Sequence, residues 1–168
     1  MDKAEEKQLA DLLSKLEPGF LPYEIFVQIA RLVVLSIIEF VPLRTNNGVV
    51  EVLLLEREPD DDIWPGEVHT PGTVVRPTDS SGDIYKAFER IRQDELKGIK
   101  ISNGHFVGTQ LHSSRRGMEH AQIFWVEVYE DPIVGTFYPV NELPPNMMES
   151  QIDFIKLAVN SYQSERRN

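Results

Sequence analysis

The chain has 168 residues, and 17 lysines and arginines against 27 aspartates and glutamates leave it a formal charge of −10 at pH 7. With 41% apolar, 26% charged and 9% aromatic residues, it has the composition of one soluble domain, long enough to bury a core without covalent staples. The absence of cysteine excludes disulfides, thiolate zinc sites and cysteine nucleophiles. The acidity argues against DNA and RNA, whose phosphates require a basic surface.

The first twenty residues are charged and amphipathic, with no basic start leading into an apolar run, so no secretory leader is predicted. The longest apolar stretch, Leu32 to Val41, is interrupted by Ser36 and Glu39 and is too short to span a bilayer. A cytoplasmic protein with no membrane partner is expected. Residues 3–16 predict a helix, because Leu9, Leu12, Leu13 and Leu16 recur at helical spacing before Pro18-Gly19 stops it. A second short helix is predicted from Tyr23 to Ile29, with Pro22 at its first turn. The apolar faces of these helices suit a homodimer or docking on the core. Val33 to Val41 is β-branched and apolar, as a buried central strand would be. Thr45-Asn46-Asn47-Gly48 is a hairpin turn, with Val49 to Leu55 as the partner strand. Glu58 to Gly66, with three successive aspartates, reads as a loop.

Pro71-Gly72 then opens a short β segment, Thr73 to Val75, and a loop follows to Gly82. Asp83 is placed to cap a helix to Leu96, since Ile84, Ala87, Phe88 and Ile91 form an apolar stripe, with Arg90 and Asp94 an i, i+4 pair. Strands are predicted over Phe106–Leu111 and Gln122–Tyr129. Pro139 and Pro144-Pro145 break the chain before a last helix, Gln151 to Tyr162. The class is α/β, a mixed sheet between helices. Glu95 ends the apolar stripe where the helix dipole disfavours an anion. It is either an edge residue with its head in solvent or a ligand for Mg²⁺, which takes hard carboxylate and carbonyl oxygens.

The stretch from Pro71 to Ile99 resembles the signature of the Nudix hydrolases, GX5EX7REUXEEXGU, where U is aliphatic. Pro71-Gly72-Thr73 is similar to the family's Pro-Gly-Gly, with Thr73 in place of the second glycine. Asp79 stands where the first glutamate is expected, Arg90 matches the motif arginine, and Asp94-Glu95 matches the Glu-Glu pair. Phe137-Tyr138-Pro139-Val140-Asn141-Glu142-Leu143-Pro144 resembles the aromatic, proline and Asp-Glu-Leu segment before the last helix in many members. Three departures stand out. Ser80-Ser81-Gly82 looks like an insertion, Ile91 replaces the first helical glutamate, and Leu96-Lys97-Gly98-Ile99 carries one residue more than the motif.

The resemblance implies a Nudix fold over residues 31–168, a mixed β-sheet sandwiched between helices, behind an N-terminal helical extension of residues 1–30. It implies Mg²⁺-dependent hydrolysis, with Mn²⁺ as the alternative ion, of a small-molecule nucleoside diphosphate linked to another moiety, a nucleotide sugar first among them. Gly72, Asp94 and Glu95 would hold the metal, and Asp94 and Glu95 would be catalytic through it. Ile91 resembles the subgroup of GDP-mannose mannosyl hydrolases, in which water attacks the sugar's anomeric carbon. Likeness to that subgroup makes Arg57 a phosphate contact; Arg76, Arg90 and His69 are further substrate-side candidates, and Arg115 and Arg116 weaker ones. The subgroup's general-base histidine has no counterpart between Glu130 and Thr136, so His112 and His120, flanking the Ser113–Met118 turn, become the candidates. Trp64 either stacks on a base or packs. A catalytically inactive Nudix-fold ligand-binding or regulatory module is the alternative. Ile91 and Thr73 favour it; Asp94 and Glu95 oppose it.

Overall fold

The structure is a computed structural model that describes residues 1–79 and 84–167. The proposed Asp83 cap and the Ser80-Ser81-Gly82 insertion lie outside the described residues. Helix α1, Lys3–Leu13, begins in a capping box between Asp2 and Glu5 and buries no residue. It stops short of the expected Leu16 because the next amides, Lys15 and Leu16, bond back only three residues, to Leu12 and Leu13. Helix α2, Tyr23–Ala30, behaves differently: Ala30 is fully buried and Phe26 packs against the core.

Strands β1, Leu35–Asn46, and β2, Val49–Glu56, form the expected hairpin. Its two-residue turn has φ of +49° at Asn47 and +82° at Gly48, the left-handed pair that a tight hairpin requires. Two short strands follow, β3, Val68–His69, and β4, Gly72–Val74. Strands β5, His105–Ser114, and β6, Gly117–Glu127, form a second hairpin, so His112 and His120 sit on paired strands and not in a loop. Strand β7, Thr136–Pro139, was not expected. Pro139 only ends it, on a strand paired on one side with β2, where a missing N–H costs nothing.

Among the described residues the sheet has seven strands, with β3-β2-β1-β6-β5 as its main order. The β1–β6 pair is parallel and the others are antiparallel, as a mixed α/β sheet requires. β1 changes neighbour along its length: Ile37 to Glu39 pair with β4, and Leu43 to Asn46 pair with β2. Glu39 stands at that fork. One face of the sheet packs against Phe154, Ile155, Ala158 and Tyr162 of α4, Glu149–Glu165. The other face packs against Ala87, Ile91, Leu96 and Ile99.

The helix expected to run to Leu96 is α-helical only as α3, Tyr85–Arg90, and continues as a π-helical turn over Ile91–Glu95. The Leu96 amide bonds to the Ile91 carbonyl, five residues back, at 3.0 Å. A π turn absorbs one extra residue without ending the helix. Among the described residues no helix is long and apolar enough to cross a membrane.

Candidate active site

Glu95, at the end of the π turn, and Arg57, one residue beyond β2, line both of two adjoining hollows. The larger, about 540 Å³, reaches from these two residues past Glu39, Gly72 and Arg116 to the N-terminal segment. The smaller, about 270 Å³, is lined by Asp61, His69, Asp94 and Lys97 as well. Burial lifts the Glu95 carboxyl above the ordinary carboxylate range, Arg57 and Lys97 pull against that, and Asp94 adds to it. Arg57 itself is barely committed. Its guanidinium stands 3.9 Å from Asp61 and 5.8 Å over the Trp64 ring, and its Nε is buried with no hydrogen-bond partner among the described residues. A buried donor without a partner is costly unless a ligand supplies the acceptor.

Glu39 is the functional candidate that sequence reasoning missed. It is 6% exposed, accepts the Thr70 hydroxyl at 2.9 Å, and lines the larger hollow. Burial pushes its carboxyl up to about 8; the Thr70 bond opposes this, Glu119 adds to it, and Arg116 and Arg57 oppose it. Gly72 lies against it so closely that a Cβ there would come within 2.6 Å of the carboxylate. The visible signal was a charge in the middle of an otherwise apolar buried strand.

His69 is also buried. Its Nδ1 lies 2.8 Å from the Thr70 carbonyl, which only accepts, so Nδ1 carries the hydrogen and Nε2 keeps its lone pair. Burial and then the Arg57 charge lower its pKa to about 4, against weaker pulls from the Thr70 bond and Asp61. A base that weak suits accepting a hydrogen bond from a ligand hydroxyl.

Arg116, a weaker candidate in the sequence, lines the larger hollow between Trp64, 4.8 Å from the ring centroid, and Phe26, at 5.9 Å. Two of its nitrogens bond to Glu119 Oε1, at 2.9 and 2.6 Å, and His112 Nε2 stands 3.3 Å from Oε2. Burial raises the Glu119 carboxyl, but its bonds to His112, Arg116 and Ser114 and the Arg116 charge outweigh that and hold it below the usual range. Arg115 reaches instead to Glu67 and the Ile63 carbonyl, tying the hairpin tip to the loop after β2. Trp64 packs between Arg57 and Arg116.

Several expected residues sit elsewhere. Arg90 is paired with Asp79, not Asp94, and also donates to the Val74 carbonyl at 3.0 Å, so it clamps the loop after β4 to α3 and lines neither hollow. The Asp79 carboxylate also accepts the Arg76 amide at 2.7 Å. Burial raises Asp79, but the Arg90 and Arg76 bonds and charges bring it below the usual range. Asp94 is exposed and lines the smaller hollow but not the larger. His112 lies behind Glu119, edge-on to Phe154 at 5.4 Å, with its buried Nδ1 unpartnered among the described residues. His120 falls in step along β6 with Phe124 and Val126, on the opposite face of the sheet from Ala121 and Ile123. Neither histidine lines either hollow. Arg76 does line the larger one, its guanidinium 5.3 Å over the Phe20 ring.

Among the described residues no three His, Asp or Glu side chains cluster so as to hold a metal ion by themselves. The donors on the larger hollow are the Glu95 and Glu39 carboxyls and the Gly72 backbone. Such a set fits Mg²⁺ only in its usual partly hydrated mode, with one or two carboxylates and the substrate's phosphates completing the shell.

No protein-family model matches the chain, and no curated protein matches it by sequence. Solved structures do. The NUDIX domain of Shewanella oneidensis NrtR complexed with ADP ribose aligns over 96% of this chain and 99% of its own, with a TM-score of 0.59 and 15% identity. The C. elegans Ap4A hydrolase aligns over 78% of this chain and 99% of its own, at 0.58 and 14%. A NUDIX hydrolase from Nitrosomonas europaea aligns over 79% and 90%, at 0.57 and 13%. The chain has the Nudix fold.

Within that fold, two departures from the Nudix signature acquire physical causes. The residue in excess before Gly98 follows directly on the π turn of Ile91–Glu95, the kind of turn that takes up one extra residue. Ile91 is 0% exposed in the core layer beneath α3. Packing accounts for it, and the likeness of residues 87–91 and 95–96 to the mannosyl-hydrolase subgroup finds no support in the solved structures the chain resembles.

Proposed function

We propose that this chain is a Nudix-type hydrolase of a nucleoside diphosphate linked to another moiety, with a nucleotide sugar as the leading substrate. The observation that carries this reading is the pairing of Glu95 with an uncommitted Arg57 on the boundary between an apolar-walled hollow and a polar one. A diphosphate placed there meets the Arg57 guanidinium, whose orphaned Nε gains an acceptor, while Arg116 on the apolar side is already paired with Glu119. Arg57 then stabilises the negative charge that grows on the departing phosphate as the bond breaks. Glu95 and the Gly72 carbonyl would hold Mg²⁺, with Asp94 acting through water and Glu39 close to Gly72. When bound, the ion supplies Lewis-acid neutralisation of the phosphate oxygens. His69, neutral, would accept a hydroxyl of the second moiety in the smaller hollow.

The test is a screen of the full chain against nucleotide sugars, dinucleoside polyphosphates and nucleoside triphosphates with Mg²⁺ or Mn²⁺. Cation-dependent release of nucleotide is expected, and Glu95→Gln should reduce it about 100-fold or more, since the amide offers a neutral oxygen for a charged one. The second reading, an inactive ligand-binding module, is favoured by buried Ile91 and by the lack of a three-carboxylate cluster among the described residues. It requires nucleoside diphosphate binding with no turnover in any arm of the screen.

A further inference from the structure

The larger hollow has two unlike ends. At one stand Glu39, Arg57, Gly72 and Glu95, and Arg116 lies beside Phe26, 5.9 Å from its ring. The other is lined mainly by a single piece of chain, the turn after α1 and helix α2, which contributes Phe20, Leu21, Tyr23, Phe26 and Ile29, together with Val75 and Pro77. That end offers apolar and aromatic surface with one hydroxyl among these residues, on Tyr23. A sugar or peptide would be poorly served there, because each buried hydroxyl without a partner is costly. Phe20 is the most informative residue. It is 81% exposed at the lip of the hollow, yet Arg76 holds its guanidinium 5.3 Å from the ring. An exposed ring beside a cation forms a platform on which a flat π system stacks favourably.

We infer that the segment 19–29 is the base-recognition element of this site, with Phe20 and Arg76 stacking on the nucleobase of a nucleoside diphosphate. The inference rests on the diphosphate reading above and adds the orientation of the substrate. The base lies under α2, the diphosphate at Arg57 and Glu95, and the second moiety in the polar hollow beyond them. The N-terminal helices are then unequal partners in function: α2 belongs to the site, whereas α1 buries nothing.

Calorimetry on the full chain with Mg²⁺ tests this using ADP, inorganic pyrophosphate and geranyl diphosphate as probes, on wild type, Phe20→Ala and Phe20→Trp. ADP should bind more tightly than pyrophosphate. Phe20→Ala should weaken ADP about 5-fold or more, as loss of a base–aromatic stack does, while leaving pyrophosphate unchanged, and Phe20→Trp should keep ADP affinity. Because Phe20 is exposed, thermal melts of all three proteins should coincide. Equal affinity for ADP and pyrophosphate, or an ADP affinity indifferent to Phe20→Ala, overturns the base assignment and leaves the diphosphate site standing. Tighter binding of geranyl diphosphate than of ADP overturns it in favour of an aliphatic diphosphate. Failure of pyrophosphate and ADP alike removes the diphosphate reading itself, and this inference with it.

Discussion

Glu39 in the larger hollow and His69 in the smaller one are buried on either side of Thr70, and both bond to it, Glu39 through the hydroxyl and His69 through the carbonyl. Burial drives both toward their uncharged forms, which moves their pKa values in opposite directions, to about 8 and about 4. Between the hollows, the Arg57 guanidinium has one distant ion-pair partner, Asp61 at 3.9 Å. The comparison teaches that each hollow sets one buried, uncharged group close to the Arg57 boundary, with its other charged side chains around them. A ligand with a charged middle and two uncharged ends suits that arrangement.

The largest expected effect comes from removing the boundary. Arg57→Ala should lower turnover about 10²–10³-fold, the usual cost of losing a preorganised charge that faces the developing anion. Steady-state kinetics on the best substrate of the screen would measure it. A variant within threefold of wild type would place the diphosphate elsewhere.

The two neutral groups predict opposite pH slopes in stability, measured by denaturant melts in EDTA. Glu39 holds a proton in the folded chain between about 4.5 and 8 that the unfolded chain has lost, so its contribution is full below 4.5 and falls away as pH rises toward 8. His69 lacks a proton between about 4 and 6.5 that the unfolded chain holds, so its contribution is full above 6.5 and is lost as pH falls toward 4. Each arm is worth about 3–5 kcal/mol if the whole shift is realised. Glu39→Gln should flatten the alkaline arm alone, and His69→Gln the acid arm alone. If either substitution flattens both arms, the hollows are not electrostatically separate.

The smallest effect is expected at the Arg90–Asp79 clamp, which supports the loop after β4 without entering the smaller hollow. Asp79→Asn should cost about 1.5–3 kcal/mol, the worth of a hydrogen bond to a charged group, with turnover changed little at temperatures where the chain stays folded. A fall in turnover larger than that of Arg57→Ala would move Asp79 from support into the chemistry.

Local pattern alone determined the hairpin at Asn47-Gly48, the α2 helix after Pro22, the α/β class, and the placing of Glu95 at the end of a helix that follows a Gly72 strand. Each depends on neighbours in sequence: positive φ, proline geometry, and apolar spacing along one face. The resemblance pointed to Arg57, which the fold sets beside Glu95 on the two hollows. Only the tertiary structure decided the rest. Glu39 came to line the larger hollow because β1 forks between β4 and β2 at that residue. Arg116 turned inward because Glu119, Trp64 and Phe26, from three separate elements, converge on it. His120 lines neither hollow because strand alternation puts it on the other face of the sheet. These outcomes depend on strand register and on contacts between residues far apart in the chain, and a period-two or period-3.6 pattern encodes neither the partner nor the face it meets.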